Sequence, residues 1–151
     1  MIIIACVDDN NGMLFHQRRQ SRDIALYKHI LQLTDGKRLL MNEYSAKQFL
    51  KEQYQNIIVQ SDFLDIAQEQ DYCFIENTDI SEYGNDIQKI ILYRWNRVYP
   101  ADYYFQFPIN KDVWKLQKVS DIKGNSHDVI TEEVYTNVKK KKKYYFIHCI
   151  T

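Results

Sequence analysis

At 151 residues and 45% apolar content, the chain suits a single domain over 1–151, long enough to bury about two-thirds of the surface its extended form would expose. Twenty basic side chains balance twenty acidic ones, which excludes a general polyanion binder and confines any phosphate or nucleic-acid contact to a local patch. Cys6, Cys73 and Cys149 lie in separate apolar runs without metal or disulfide spacing, and read as reduced, buried thiols.

Taken in order, the chain alternates strand and helix. Ile2 to Val7 is a continuous apolar run suited to an interior parallel strand, ended by Asp8-Asp9-Asn10-Asn11-Gly12. A polar loop with Arg18, Arg19 and Arg22 leads to a helix in which Ile24, Tyr27, Ile30 and Leu31 share a face. Ser21 is its expected N-cap, and Asp23 its second residue, within reach of the three arginines; Asp35-Gly36 supplies the stop. Lys37 to Met41 reads as a strand, and Ser45 as the cap of a helix carrying Phe49 and Leu50. Asn56 to Gln60 is a short strand, followed by a helix capped by Ser61 or Asp62 and bearing Phe63, Leu64, Ile66 and Ala67. Tyr72 to Ile75 and Lys89 to Trp95 give two further strands, joined by a segment, Thr78 to Ile87, with room for a helical turn or two.

Such alternation implies crossover connections and a largely parallel sheet. Beyond Asp112 the rhythm changes to two strand candidates, Val113 to Val119 and Tyr144 to Ile150, around a polar insert from Lys123 to Lys143. A tail of that kind pairs most easily antiparallel at a sheet edge. Within the insert, Ser126-His127-Asp128 reads as a capped helical turn leading to Val129, Ile130 and Val134; as neighbours these three are poorly placed to form a catalytic triad. Met1 opens a strand directly and no apolar run approaches the roughly 18 residues of a spanning helix, so the expectation is a cytoplasmic protein with no membrane contact. His16, His29, His127 and His148 share no ligand spacing, so no metal is expected.

Ile-Ile-Ile-Ala-Cys-Val-Asp at the start, Gly12-Met13, and then Asp23-Ile-Ala-Leu-Tyr-Lys resemble the opening of dihydrofolate reductase. Asn56-Ile-Ile-Val, Tyr93 to Phe105 with Tyr-Pro-Ala-Asp102, and Tyr144-Tyr-Phe-Ile are similar to later strands of that family, so the element order matches over nearly the whole chain. The resemblance implies an α/β three-layer sandwich: a mostly parallel central sheet, an antiparallel C-terminal edge strand and helices on both faces. It also implies Asp23 as the acid and Tyr27 as the aromatic of a pterin pocket.

Two turns depart from the family. Its Gly-Arg-x-Thr phosphate turn falls at Asn42-Glu43-Tyr44-Ser45, and its paired glycines at Glu76-Asn77. Carboxylates there repel a diphosphate and side chains block the backbone approach that glycine allows. The family's substrate-loop tryptophan is replaced by His16-Gln17-Arg18-Arg19. The expectation is the fold without the hydride chemistry and without a cofactor, NADPH belonging only to the alternative of a divergent pterin reductase that uses Asp23.

Ligands of open α/β sheets bind beyond the carboxyl ends of the strands. That edge gathers Arg18, Arg19, Asp23, Tyr27, Asn42, Tyr44, Ser45, Glu76, Asn77, Trp95 and Arg97, a set suited to a small anionic or nucleotide-like molecule. Glu43 and Glu76 pairing with the arginines would instead leave a closed salt-bridge network. A third reading is RNA or single-strand binding along Arg18 to Arg22, Arg94 to Arg97 and the lysine run 139–143, which serves equally as a solvated strand-edge guard.

Overall fold

Strand β1 (Ile2–Val7) sets the plan of the molecule because its side chains alternate between two cores. Ile3, Ala5 and Val7 point to one face and Ile4 to the other, all of them fully buried. The computed structural model describes residues 1–49 and 55–139. Among these, β4 (Leu39–Met41), β5 (Ile57–Val59), β6 (Tyr72–Phe74), β7 (Lys89–Arg94), β9 (Trp114–Lys123) and β10 (Val129–Asn137) join β1 in a sheet of order β5-β4-β6-β1-β7-β10-β9. The five strands from β5 to β7 run parallel, and β10 and β9 close the far edge antiparallel.

Helix α1 (Ile24–Leu33) covers one face, packing Leu26, Tyr27 and Ile30 against Ile4, Met41, Phe74, Ile91 and Tyr93. The short helix α3 (Phe63–Ile66) covers the other with Phe63 and Leu64, against Ile3, Leu40, Cys73, Ile90 and Leu92. Each such side chain contributes roughly 1.5–3 kcal/mol by leaving water. The three-layer α/β arrangement and the antiparallel edge are as the sequence implies. Among the described residues no helix is long and apolar enough to cross a membrane.

Several local expectations are corrected. Asp23, not Ser21, caps α1: its side chain accepts from the Leu26 amide at 3.1 Å, and the helix begins at Ile24. Helix α2 (Glu43–Ala46) is capped by Asn42 rather than Ser45, since the Asn42 side-chain oxygen accepts from the Ser45 N–H at 3.1 Å and Ser45 itself lies inside the helix. Residues 126–128 form no helical turn. They lie in the loop of the β9–β10 hairpin, and Val129, Ile130 and Val134 belong to a strand, because β9 pairs Val129 and Ile130 with Lys123 and Ile122 while β7 pairs Thr131 to Thr136 with Arg94 to Lys89. The span read as a polar insert therefore contains the strand that flanks β7; Tyr144 to Ile150, with His148, Cys149 and most of the lysine run, lies outside the described residues. The segment from Thr78 to Ile87 holds a 3-10 helix, Ser81–Asp86, and Gly36 leaves α1 at φ +75°, as a helix stop requires.

A second, smaller sheet was not foreseen: β2 (Gly12–Phe15) lies between β3 (Arg18–Arg19) and β8 (Tyr103–Tyr104). His16 and Gln17, at φ 50° and 65°, make the tight turn between β2 and β3. At its base the buried Asp8 carboxylate accepts from the amides of Asn10, Gly12 and Tyr99 and from Gln20 Nε2, at 2.7–3.1 Å. Burial works to raise the Asp8 pKa, but those donors bring it below the usual carboxylate value. A Cβ at Gly12 would sit 2.6 Å from Gln20 Nε2 and 2.8 Å from both Ala101 Cβ and Asp8 Oδ2. Gly12→Ala is expected to cost about 1–3 kcal/mol through overpacking, read as a lower denaturant midpoint at unchanged slope.

Candidate functional site

The turn geometry of β2–β3 separates two arginines that look alike in sequence. Strand alternation places Arg18 opposite the exposed Phe15 and Arg19 opposite the buried Leu14. Arg18 stays in solvent, whereas Arg19 enters the cleft at the carboxyl ends of β4, β1 and β6.

There Arg19 meets Glu76, the second residue past β6. Nε lies 2.9 Å from Oε2 and Nη2 lies 3.2 Å from Oε1, a two-pronged fork. The guanidinium carbon rests 4.4 Å above the Tyr44 ring centroid, Nη2 donates to the Tyr44 carbonyl at 3.3 Å, and the Arg19 amide donates to the Tyr44 hydroxyl at 3.0 Å. Glu76 Oε1 also accepts from Ser45 Oγ at 2.8 Å and Gln48 Nε2 at 2.7 Å. Gln48 in turn accepts from the Tyr27 hydroxyl. Helix α2 and the turn that follows it thus present Ser45 and Gln48, three residues apart, to a single carboxylate.

Asn42 Nδ2 donates to Asn77 Oδ1 at 2.8 Å, linking the turn after β4 to the turn after β6. Between these groups remains a cavity of about 10 Å³, roughly what one water needs, lined by Cys6, Met13, Arg19, Gln20, Ser21, Tyr27, Glu76 and Trp95. Of the side chains named from sequence, Arg19, Tyr27, Asn42, Tyr44, Ser45, Glu76, Asn77 and Trp95 come together. Arg18 and Arg97 are exposed and stand apart, and Asp102 accepts from the His16 amide at 3.1 Å at the β2–β3 turn.

Asp23 faces elsewhere, and its expected contact with the three arginines is replaced by a partner over a hundred residues away. The loop between β9 and β10 wraps it: the amides of Asn125, Ser126 and His127 donate to the carboxylate at 2.9–3.1 Å, and Ser126 Oγ at 3.2 Å. His127 Nδ1 lies 3.2 Å from Oδ2. Burial works to raise the Asp23 pKa, but the Asn125 and Leu26 amides, the His127 ring and the Ser126 amide outweigh it and hold the group at about 2. Gly124 permits the wrap, since a Cβ there would fall 2.2 Å from the His127 carbonyl. The His127 ring stacks on Trp95 with centroids 4.6 Å apart.

Gln48, Gln20 and Tyr99 were missed as site residues, and His127 was set aside because its sequence neighbours Ser126 and Asp128 are poorly placed to form a triad. Gln48 left a signal in its spacing from Tyr44 and Ser45. Among the described residues no three His, Cys, Asp or Glu side chains gather as metal ligands would.

No protein-family model matches the chain, and no curated protein does. Among solved structures the fold is similar to dihydrofolate reductase from Enterococcus faecalis, solved in complex with NADP(H) and RAB-propyl: TM-score 0.61 at 11% identity, over 91% of this chain and 96% of that one. The chain therefore has a dihydrofolate reductase-like fold.

Proposed function

We propose that this dihydrofolate reductase-like domain carries no conventional NADPH reductase activity and binds a small anionic or nucleotide-like ligand at Arg19. The observation that carries the reading is the Glu76 carboxylate itself. It holds a donor set suited to an anion, namely the Arg19 fork, Ser45 Oγ and Gln48 Nε2, beside an aromatic face at Tyr44. A carboxylate or phosphate of the ligand takes those donors when Glu76 turns away. The cavity of about 10 Å³ admits nothing larger than water until it does.

The residues present do not fit a dinucleotide. Glu76 places a charged carboxylate, and the Asn42–Asn77 bond a bridge of side chains, across the two turns where phosphates would need bare backbone. Asp23, held anionic and turned to the β9–β10 loop, gives little support to a reductase that uses it as the acid.

The test is a thermal-shift screen of nucleotides, folates and phosphorylated metabolites against wild type, Glu76→Gln and Arg19→Ala. An anionic ligand is expected to raise the melting temperature of the wild type, more so that of Glu76→Gln, which lacks the competing charge, and to leave Arg19→Ala unmoved. A shift that survives in Arg19→Ala overturns the site. Quenching of NADPH fluorescence together with turnover of dihydrofolate overturns the loss of reductase activity.

A further inference from the structure

The contacts around His127 run in a definite chemical order. Asp23 can only accept at its ionised oxygens, so in the neutral imidazole the Nδ1 that faces it carries the proton and the lone pair lies on Nε2. That lone pair faces two hydroxyls, Ser21 Oγ at 3.1 Å and Tyr99 Oη at 3.0 Å. The imidazole is 5% exposed and clamped flat against Trp95, so its orientation is fixed. The carboxylate behind it is fixed as well, by three loop amides and the first turn of α1.

Ser21 is partly exposed and borders the small cavity, next to Gln20, whose Oε1 is buried without a hydrogen-bond partner among the described residues. A hydroxyl on an imidazole that is oriented by a buried carboxylate is the arrangement by which serine becomes a nucleophile, whatever the fold that carries it. Here it is assembled from residues 21, 23 and 127, not from the contiguous 126–128.

We propose that Ser21, His127 and Asp23 form an acyl-transfer site that hydrolyses esters of short acyl groups. Ser21 Oγ attacks the ester carbonyl carbon while its proton passes to His127 Nε2. The bond from that carbon to the alcohol oxygen breaks, and the leaving alcohol takes the proton from Nε2. Water then attacks the acyl-serine, yielding its proton to Nε2; the carboxylic acid departs and Ser21 recovers the proton. Ester and water become acid and alcohol, with no other reactant. The Tyr99 hydroxyl, about 3 Å from the same nitrogen, is the donor placed to meet the developing oxyanion. Asp23 is a positioning residue throughout. The cavity of about 10 Å³ beside Ser21 holds about one water and offers no room for a long acyl chain, so the ester approaches the partly exposed hydroxyl from solvent and a short acyl group suits it best. None of this needs an anion at Arg19, so the two proposals stand or fall separately.

The experiment treats the full chain with a fluorophosphonate probe and locates the adduct by peptide mass spectrometry, alongside hydrolysis of p-nitrophenyl acetate. The expected result is one adduct on Ser21 and hydrolysis above the buffer rate. Ser21→Ala abolishes both, and Tyr99→Phe lowers hydrolysis about 100- to 1000-fold through the lost donor, each variant keeping the wild-type circular dichroism. No adduct on Ser21 of the folded wild type, or hydrolysis unchanged in Ser21→Ala, overturns the proposal. The Ser21 and Tyr99 changes touch only hydroxyls, which keeps the test independent of the fold-critical Asp23.

Discussion

Asp23→Ala is expected to destabilise the protein by roughly 3–5 kcal/mol, because it orphans the buried Leu26 and His127 amides and the part-buried Asn125 and Ser126 amides at once. The contribution is one of anchorage, since this carboxylate joins the start of α1 to the β9–β10 loop and holds the edge hairpin against the helix layer. Asp23→Asn is expected to cost less: the amide oxygen still accepts, but its NH₂ group confronts amides that also donate.

The same carboxylate predicts a pH dependence with a definite sign. Its pKa falls from the ordinary 3.8 to about 2 on folding, so its stabilisation is complete above the unfolded value and is lost as pH falls through the folded one. The shift corresponds to about 2 kcal/mol. Glu132 acts in the same direction: the His29 hydrogen bond leads in lowering it, burial opposes, and Tyr93 and Lys118 assist, bringing it from 4.5 to about 2. Urea unfolding across pH 7 to 2 is expected to show a flat stability down to about pH 5 and a steep fall below pH 4. In Asp23→Ala the fall is shallower, and an unchanged slope refutes the role given to this group.

Arg19→Ala is expected to lower stability by about 3 kcal/mol, somewhat less than a fully buried pair would cost, since the guanidinium is 21% exposed. The change leaves the Glu76 carboxylate, 9% exposed, with only the Ser45 and Gln48 donors. Glu76→Ala is expected to cost less, because the freed arginine reaches water by rotating its long side chain. The double variant Arg19→Met with Glu76→Leu is expected to recover most of the loss, since it removes both charges and fills the cleft with apolar volume. Denaturant midpoints of wild type, Arg19→Met, Glu76→Leu and the double variant test the coupling: additive single effects would mean that the pair is not coupled.

Which parts were legible from sequence follows from the range of the forces involved. The five parallel strands announce themselves in short apolar runs such as Ile2 to Val7 and Lys89 to Trp95, where every residue reports its own burial. The stop at Gly36 and the break after Val7 depend on backbone freedom and turn chemistry within a few positions. The start of β9 was read, as Val113 to Val119, but β10 was hidden because threonines, glutamates and an asparagine interrupt its apolar residues. Only the pairing of β10 with β7 makes that stretch a strand, whatever its local propensity.

The candidate site was legible as an inventory and opaque as an arrangement. Arg18 and Arg19 differ by one position, and the hairpin turn at His16 and Gln17 sends one outward and the other into the cleft. Asp23 has arginines close in sequence, yet its carboxylate is satisfied by amides and an imidazole 102 to 104 positions away. Glu76 finds Arg19 across 57 positions.

Composition and periodicity established a single α/β layer plan with a parallel core, because burial of apolar side chains is a local property repeated along each strand. The choice of partner for each charge was made by the folded chain. An ion pair depends on distance and direction between groups far apart in the polypeptide, and those are set by strand register and loop path.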